Sequence, residues 1–236
     1  MSVVIAFDTA TPATVAGLRL VSGETLARRD DPQPDARPNH AARLLAICDE
    51  LLAEAGLRWV DVGRIGVGVG PGTFTGLRIG VATARALAQS TGAELVAVST
   101  LHALAAGALE AAPSADRRTA RSAVLAVIDA RRGEAFAAGW DASGAQLTAP
   151  AAVAPDDLGS LVAAGQARWL AVGDGAVKFR AQLESAGVSV EPDDSALHLV
   201  GAQALCALSI DAIAAGLDQL VPDYVRRPDA ELRVTP

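Results

Sequence analysis

Short apolar runs alternate with amphipathic segments along the chain, and the same order of elements occurs twice. In the first half, VVIAFDT at residues 3–9 predicts a strand that ends in an aspartate, and TVAGLRL and ETLARR predict two more strands. Apolar residues spaced i, i+3, i+4 and i+7 over residues 39–55 predict a helix, which Gly56 ends. The pattern then predicts a strand at 64–70, a helix at 73–91, a strand at 94–98 and a helix at 101–111.

The second half repeats this order with little similarity in sequence. AVLAVID at residues 123–129 predicts a strand that again ends in an aspartate. The remaining predicted elements are strands at 134–140, near Gln146 and at 168–172, and helices at 155–164, 176–186 and about 195–216. The polar segment APSADRRTARS, residues 112–122, lacks an apolar period, and we interpret it as a linker.

The repeated order favours an α/β protein of two tandem RNase H-like or actin-like (ASKHA) domains, each a mixed sheet flanked by helices. We expect the first domain over residues 1–112, a second, smaller domain over 113–194 and an extended tail over 217–236. The C-terminal helix, about 195–216, is expected to pack back on the first domain. This likeness is one of pattern, and it indicates fold rather than function.

Composition supports a folded chain whose surface is acidic. Hydrophobic residues make up 51% of the 236 residues and aromatic residues only 3%, so the core must consist mainly of Ala, Val, Leu and Ile. The net charge of −7 opposes binding of a polyanion, and Lys178 is the only lysine. If the chain acts on nucleic acid, we expect a partner to supply the binding surface. The N-terminus lacks the features of a signal peptide, and no run approaches ~18 apolar residues, so we expect a cytoplasmic protein without a membrane helix.

The glycine-rich stretch GPGTFTGLRIG, residues 70–80, does not match a known phosphate-binding loop. Leu77 and Arg78 follow Gly76, where a P-loop has a lysine. Thr73 is a plausible N-cap, and small residues recur every four positions along the helix at Gly76, Gly80, Ala84 and Ala88. A helix this apolar requires cover on more than one side, either from the rest of the chain or from another subunit.

Candidate catalytic groups are few. The first strand ends in Asp8-Thr9-Ala10-Thr11, which keeps the aspartate of an actin-like D-x-G phosphate hairpin but lacks its glycine. The turns at 129–133 and 173–175 are weaker candidates for a ligand contact. His40, His102 and His198 form no zinc-binding motif, and Ser99 is better interpreted as a helix N-cap than as a nucleophile. We predict no catalytic residue and no metal site.

GPGTFTGLRIGVATARALA, preceded by RIGVGVG and followed by VSTLHALA, resembles the signature of the TsaB (YeaZ) family. The opening IAFDTATPATVAGL and the segments NHAARLL, DARRGEAF, GDG and PDYVRR also match. Members of this family assist the modification of tRNAs that read codons starting with A to threonylcarbamoyl-adenosine (t6A). The resemblance implies a non-catalytic partner of the transferase TsaD, with the ATPase TsaE joining the complex and tRNA bound only through that complex. It also implies a homodimer when the chain is alone.

The resemblance places the partner interface on the first-domain helices. The matching residues are His40, Leu44, Leu45, Gly72, Thr73, Phe74, Thr75, Gly76, Leu77, Gly80, Val81, Ala84 and Ala88. It implies no cofactor of the chain's own but allows ATP or ADP at the boundary with TsaD, with Asp8, Thr9 and Arg78 as candidate contacts. The alternative is an independent actin-like hydrolase, either a glycoprotease-like peptidase or an ATPase.

The four-residue spacing of small residues generates one prediction about the interface. Replacement of Gly80 or Ala84 by Leu is expected to weaken partner association while the monomer stays folded. Overpacking a tight contact costs ~1–3 kcal/mol, which is roughly five- to 150-fold in affinity. Unchanged association of a folded variant would contradict this expectation.

Overall fold

The chain divides into two compact units. The computed structural model describes residues 2–33, 36–111, 122–162 and 168–225. Unit 1 consists of Met1–Ala103 and Val200–Pro222, and unit 2 consists of Leu104–Leu199 and Asp223–Pro236. The limits suggested by the sequence, 1–112 and 113–194, differ from this division, which falls between two consecutive residues of one helix. The predicted linker lies outside the described residues, apart from Ser122 at the start of a strand.

A five-stranded mixed sheet forms the centre of unit 1. Its strands are β1 (Val3–Asp8), β2 (Thr14–Arg19), β3 (Thr25–Asp30), β4 (Val62–Gly70) and β5 (Glu94–Ser99). Their order across the sheet is β3-β2-β1-β4-β5. The first three strands are antiparallel neighbours, whereas β4 pairs with β1, and β5 with β4, in parallel.

Unit 2 repeats this topology. Its strands are β6 (Ser122–Arg131), β7 (Glu134–Asp141), β8 (Gln146–Val153), β9 (Arg168–Val172) and β10 (Ser189–Val190). Their order is β8-β7-β6-β9-β10, with β6, β7 and β8 antiparallel and with β9 and β10 added in parallel. Two sheets with the same strand order confirm the predicted fold class of two RNase H-like or actin-like domains.

Helices cover these sheets. The described α-helices are α1 (His40–Glu54), α2 (Phe74–Thr91), α3 (Thr100–Ala111), α4 (Asp174–Lys178), α5 (Arg180–Ser185) and α6 (Ala202–Asp211). Short 3₁₀ turns occur at Trp59–Asp61, Pro155–Leu161 and Ala196–His198. Within the described residues, no helix combines the length and hydrophobicity needed to cross a membrane.

The two faces of the unit 1 sheet hold different helices because side chains alternate along a strand. Ile5 and Phe7 of β1 point into a core shared with α1 and α2, and Cys48 of α1 belongs to that core. The other face is packed by α6, where Cys206 approaches Gly17 of β2 so closely that a Cβ there would lie 2.9 Å from its Sγ. The two cysteines therefore lie on opposite faces of the sheet and cannot form a disulfide. Burial raises the pKa of both thiols, to about 12 for Cys206.

Two predicted helices of unit 2 are shorter or interrupted in the structure. The helix predicted at 155–164 is a 3₁₀ turn at Pro155–Leu161 that contains Gly159, a weak helix former that packs against Ala186. The helix predicted at 176–186 is split into α4 and α5 at Phe179, because this residue leaves helical geometry at φ −108° and ψ 29° and is buried in the core of unit 2.

The predicted C-terminal helix, about 195–216, is shortened to α6 and packs on the unit 1 sheet as expected. Ser195 instead caps a 3₁₀ turn, with its Oγ accepting a hydrogen bond from the Leu197 amide at 3.3 Å. The segment after α6 contributes Leu220 to the unit 1 core, where this side chain is 1% exposed. Residues 226–236 of the predicted tail lie outside the described residues.

Arg64 on β4 fixes the C-terminal end of α6. Its Nη1 donates hydrogen bonds to the carbonyl oxygens of Ser209 at 3.0 Å and Ala212 at 3.2 Å, and also to that of Ile210. Its Nε donates to Glu94 Oε2 at 2.9 Å. The last carbonyls of a helix have no partner within the helix, so the guanidinium acts as a cap supplied by the sheet.

Arg64→Met is expected to lower the free energy of unfolding by about 1–3 kcal/mol, because several carbonyl groups at the end of α6 lose a charged donor. Urea denaturation monitored by circular dichroism measures the change. Arg85→Met is the control, since Arg85 pairs at the surface with Asp218, whose side chain is 99% exposed. We expect the control to cost at most about 1 kcal/mol. Equal effects of the two substitutions would contradict a capping role.

Candidate functional site

A buried carboxylate stands at the end of β1, where an actin-like protein carries its first phosphate hairpin. Asp8 and Thr9 are both 0% exposed. Thr100 Oγ1, at the start of α3, donates a hydrogen bond to Asp8 Oδ2 at 2.7 Å, and the Ala10 amide donates to Asp8 Oδ1 at 2.8 Å. The Asp8 side chain therefore joins the end of β1 to the following turn, residues 9–13, and to α3.

Burial dominates the electrostatics of this carboxyl group. It raises the pKa of Asp8, while hydrogen bonds from Thr100, Ala10 and Thr11 act in the opposite direction. Gly68 on β4 leaves the space that the carboxylate occupies, because a Cβ there would lie 1.8 Å from Asp8 Oδ2. Neither Thr100 nor Gly68 was predicted as a partner of Asp8, since the hydrogen bond from Thr100 joins positions 92 residues apart.

The glycine-rich segment GPGTFTGLRIG packs directly against the turn at residues 9–13. Thr9 Oγ1 donates a hydrogen bond to the Gly76 carbonyl at 2.7 Å, and the Thr73 amide donates to the Ala10 carbonyl at 2.7 Å. A Cβ at Gly76 would lie 1.9 Å from the Thr9 carbonyl oxygen, and one at Gly72 would lie 2.4 Å from the Ala10 carbonyl oxygen. These glycines therefore allow the chain's own backbone to approach the start of α2.

The small residues along α2 face the interior of unit 1. Gly76, Gly80, Ala84 and Ala88 are all buried. A Cβ at Gly80 would lie 2.5 Å from Thr9 Oγ1. The four-residue spacing thus follows from internal packing. Because both positions are buried in unit 1, we now expect Gly80→Leu and Ala84→Leu to destabilise the monomer itself.

The predicted interface residues separate into an interior and an exterior set. Leu45 and Phe74 are 44% and 47% exposed, and Thr75 is also exposed, whereas Gly72 and Thr73 are half-buried. The buried members are His40, Leu44, Gly76, Leu77, Gly80, Val81, Ala84 and Ala88. A partner contact by any of these residues stays a prediction.

An exposed surface on α1 and α2 remains on the side that faces away from the sheet. We call it the outer face, and it consists of Leu45, Phe74, Thr75, Arg78, Ala82 and Ala86. The Arg78 guanidinium stacks on the Phe74 ring with 3.8 Å between Cζ and the ring centroid. The outer face therefore presents apolar side chains together with one stacked cation.

The candidate nucleotide contacts lie in different environments. Asp8 and Thr9 are enclosed and hydrogen-bonded within unit 1, whereas Arg78 is on the surface. A nucleotide contact by these three residues stays a prediction.

His40 packs the start of α1 against β2. Its Nδ1 lies 2.9 Å from Thr14 Oγ1, while Nε2 is buried without a hydrogen-bond partner among the described residues. Burial lowers the pKa of His40, and the nearby charge of Asp30 opposes this shift. Burial thus favours the neutral form of this imidazole.

The end of β6 in unit 2 carries a different arrangement around Asp129. Lys178 Nζ donates hydrogen bonds to both carboxylate oxygens of Asp129, at 2.9 and 3.0 Å. The Asp129 amide donates to Asp174 Oδ1 at 3.0 Å. A Cβ at Gly173 would lie 2.0 Å from the Val127 carbonyl oxygen, so the turn at 173–175 also packs directly against the chain's own backbone.

Ser99 has a local structural role, and the histidines are not part of a metal-binding cluster among the described residues. Ser99 Oγ accepts a hydrogen bond from the His102 amide at 3.3 Å, which confirms its predicted capping role. Among the described residues, no group of three His, Cys, Asp or Glu side chains is placed to hold a metal ion.

Gly76→Ala is expected to destabilise the protein by about 1–3 kcal/mol, because the new methyl group would collide with the Thr9 carbonyl. The matched control is Gly107→Ala in α3, where a Cβ would meet nothing within 4 Å. This control should stabilise the protein by about 0.5–1 kcal/mol, since alanine favours a helix more than glycine does. Chemical denaturation of both variants measures the difference, and stabilisation by Gly76→Ala would refute the packing role.

Asp8→Asn is expected to change how stability depends on pH. Because the folded-state pKa of Asp8 lies above its ordinary value of 3.8, its contribution to stability is complete below pH 3.8 and is lost as the pH rises through the folded-state value. The stability of the variant relative to the wild type should therefore increase above about pH 4. Thr100 can still hydrogen-bond to the asparagine, since a hydroxyl group both donates and accepts.

Asp141→Asn is the control for this pH series, because a hydrogen bond from Ser143 lowers the pKa of Asp141. Its contribution to stability is present above the ordinary pKa and is lost as the pH falls. Urea titrations between pH 3 and 8 measure both variants against the wild type. A constant difference between Asp8→Asn and the wild type over this range would contradict the raised pKa.

Comparison with known proteins gives one consistent family. The family model described as TsaD: tRNA N6-adenosine threonylcarbamoyltransferase matches residues 32–233. The tRNA threonylcarbamoyladenosine biosynthesis protein TsaB of Escherichia coli is 34% identical over 133 residues, which cover 56% of this chain and 52% of that protein. TsaB of Bacillus subtilis is 29% identical over 206 residues, which cover 84% of each chain.

A solved structure agrees with these matches. YeaZ from Pseudomonas aeruginosa is 28% identical, with a TM-score of 0.76 over 95% of this chain and 100% of that chain. The chain spans about half the length of the first curated relatives that it matches. Because the family model covers most of the chain and the YeaZ match extends over both units, the chain belongs to the TsaD family of that model and, within it, to the TsaB (YeaZ) group.

Proposed function

We propose that the chain is the non-catalytic partner of a TsaD transferase in the t6A modification of tRNAs that read codons starting with A. The observation that carries this proposal is the enclosure of Asp8, because this carboxylate is 0% exposed and accepts hydrogen bonds from Thr100 and Ala10. A strand-end aspartate used in this way holds the fold together. The TsaB proteins of Escherichia coli and Bacillus subtilis, which are named for threonylcarbamoyladenosine biosynthesis, support the same pathway for this chain.

The outer face of α1 and α2 is the proposed docking surface for TsaD and, when the chain is alone, for a second copy. Leu45 on α1 and Phe74 on α2 expose 44% and 47% of their surface there, and the small residues Ala82 and Ala86 of α2 are also exposed. Exposed aromatic and aliphatic side chains beside an arginine are typical of the centre of a protein interface. Small residues next to them permit close approach of a partner helix.

The proposal also includes the other components of the complex that the family resemblance implies. With a net charge of −7, the chain meets tRNA only within the complex, in the cytoplasm, and TsaE joins as the ATPase. ATP or ADP would bind at the boundary between this chain and TsaD, with Arg78 as the exposed cation on this side.

The experiment that tests the function is a reconstituted modification assay. Cognate TsaD and TsaE, the activated threonylcarbamoyl donor and unmodified tRNA are combined with and without this chain, and t6A is measured by mass spectrometry. We expect product only when the chain is present. Equal product without the chain would overturn the proposal.

Leu45→Asp tests the docking surface. We expect it to weaken association with TsaD at least tenfold, about 1.4 kcal/mol, because a charge would be buried in an apolar contact. Val60→Asp is the control, since Val60 is 68% exposed but lies in the 3₁₀ turn at Trp59–Asp61, outside the outer face. Isothermal titration calorimetry measures both variants, and thermal melting confirms that they are folded. Equal affinities of the two folded variants would exclude the outer face.

A further inference from the structure

His198 in unit 2 makes hydrogen bonds that only one form of imidazole can make. The side chain is 7% exposed, and its Nδ1 lies 3.0 Å from the Gly173 amide nitrogen. Its Nε2 lies 3.0 Å from the Pro192 carbonyl oxygen and 3.2 Å from the Glu191 carbonyl oxygen. An amide N–H only donates and a carbonyl only accepts, so Nδ1 carries the lone pair and Nε2 carries the hydrogen. These contacts select the neutral Nε2–H tautomer.

Protonation is incompatible with this arrangement. An imidazolium carries a hydrogen on both nitrogens, so Nδ1–H would point at the Gly173 N–H. The hydrogen bond between them would be lost, and a buried amide would remain without a partner, which is costly in a folded protein. Proton uptake by His198 therefore requires the Gly173 backbone to move away.

The Gly173 backbone connects His198 to the hairpin between β6 and β7. Gly173 has φ 111° and lies so close to β6 that a Cβ would be 2.0 Å from the Val127 carbonyl oxygen. The side chain of the next residue, Asp174, accepts a hydrogen bond from the backbone amide of Asp129, which lies near the end of β6. The bond from Gly173 to His198 thus holds the turn that supports the hairpin.

The charged side chains on the neighbouring elements are four carboxylates and two cations. They are Asp174 and Lys178 on α4, Arg180 on α5, and Glu191, Asp193 and Asp194 on the segment before His198. Arg180 donates to the Glu191 carbonyl oxygen at 2.5 Å and pairs with Asp193. Among the described residues, the imidazole has only backbone partners, so the Gly173 amide is the group that opposes its second proton.

We propose that His198 is a proton-sensitive clasp, in which the neutral imidazole holds the Gly173 turn against the β6–β7 hairpin and protonation releases it. The clasp is a property of unit 2 and does not depend on the partner or the pathway proposed above.

Nuclear magnetic resonance of the full-length, isotopically labelled chain tests the clasp between pH 8 and 5. Long-range ¹⁵N spectra report the tautomer and titration of His198, and hydrogen exchange reports the protection of the Gly173 amide. We expect the Nε2–H tautomer at pH 8. Protection, corrected for intrinsic exchange, should fall by up to about tenfold per pH unit once the pH drops below the ordinary pKa of an exposed imidazole, as for one proton taken up on opening.

His198→Asn keeps an acceptor for the Gly173 amide but does not titrate, so it should abolish this loss of protection. His102→Asn on α3 is the control and should leave the loss in place. The clasp is overturned by an Nδ1–H tautomer at pH 8, or by Gly173 protection that does not change between pH 8 and 5. The wild-type measurements decide the matter even if His198→Asn fails to fold.

Discussion

The removal of the Asp8 carboxylate from water is the constraint on which unit 1 depends. A carboxyl group in the interior is tolerated only when hydrogen-bond donors surround it, and here they come from Thr100 and from the turn after β1. These donors lie on elements far apart in sequence, so β1, its turn and α3 must meet at one point. Gly68 on β4 completes the arrangement because any side chain there would occupy the place of the carboxylate.

Glycine residues also allow segments of unit 1 to pack closely against each other at two places. At the start of α2, Gly72 and Gly76 leave space for the backbone of the turn at residues 9–13. On the opposite face of the sheet, Gly66 accepts α6, where a Cβ would lie 2.0 Å from Ser209 Oγ. Glycine-rich segments that resemble ligand cradles in sequence can therefore serve the chain's own packing.

The two units share a topology but use their strand-end aspartates differently. In unit 1 the carboxylate accepts hydrogen bonds from hydroxyl and amide donors, whereas in unit 2 Asp129 pairs with the chain's single lysine, Lys178. Both arrangements bind the strand end to the chain itself. This agrees with the proposal that the functional surface of the TsaB-like chain is the outer face of α1 and α2 rather than an internal catalytic site.

The sequence alone determined the order of the elements, because hydrophobic periodicity is a local property. It predicted the start of α2 to within one residue and the end of β1 at Asp8, whereas β6 continues beyond the predicted end at Asp129 to Arg131. Its weakest predictions were the helices of unit 2, where burial of Phe179 overrides a continuous helical pattern.

Only the tertiary structure decided which surface the small residues of α2 cover. The spacing of small residues such as Gly76 and Gly80 is the same in the sequence whether they face a partner or the chain itself. The deciding contact, from Thr9 to Gly76, joins positions 67 residues apart. Contacts of this kind depend on how distant segments meet in space, and a periodic pattern in one segment contains no information about the other.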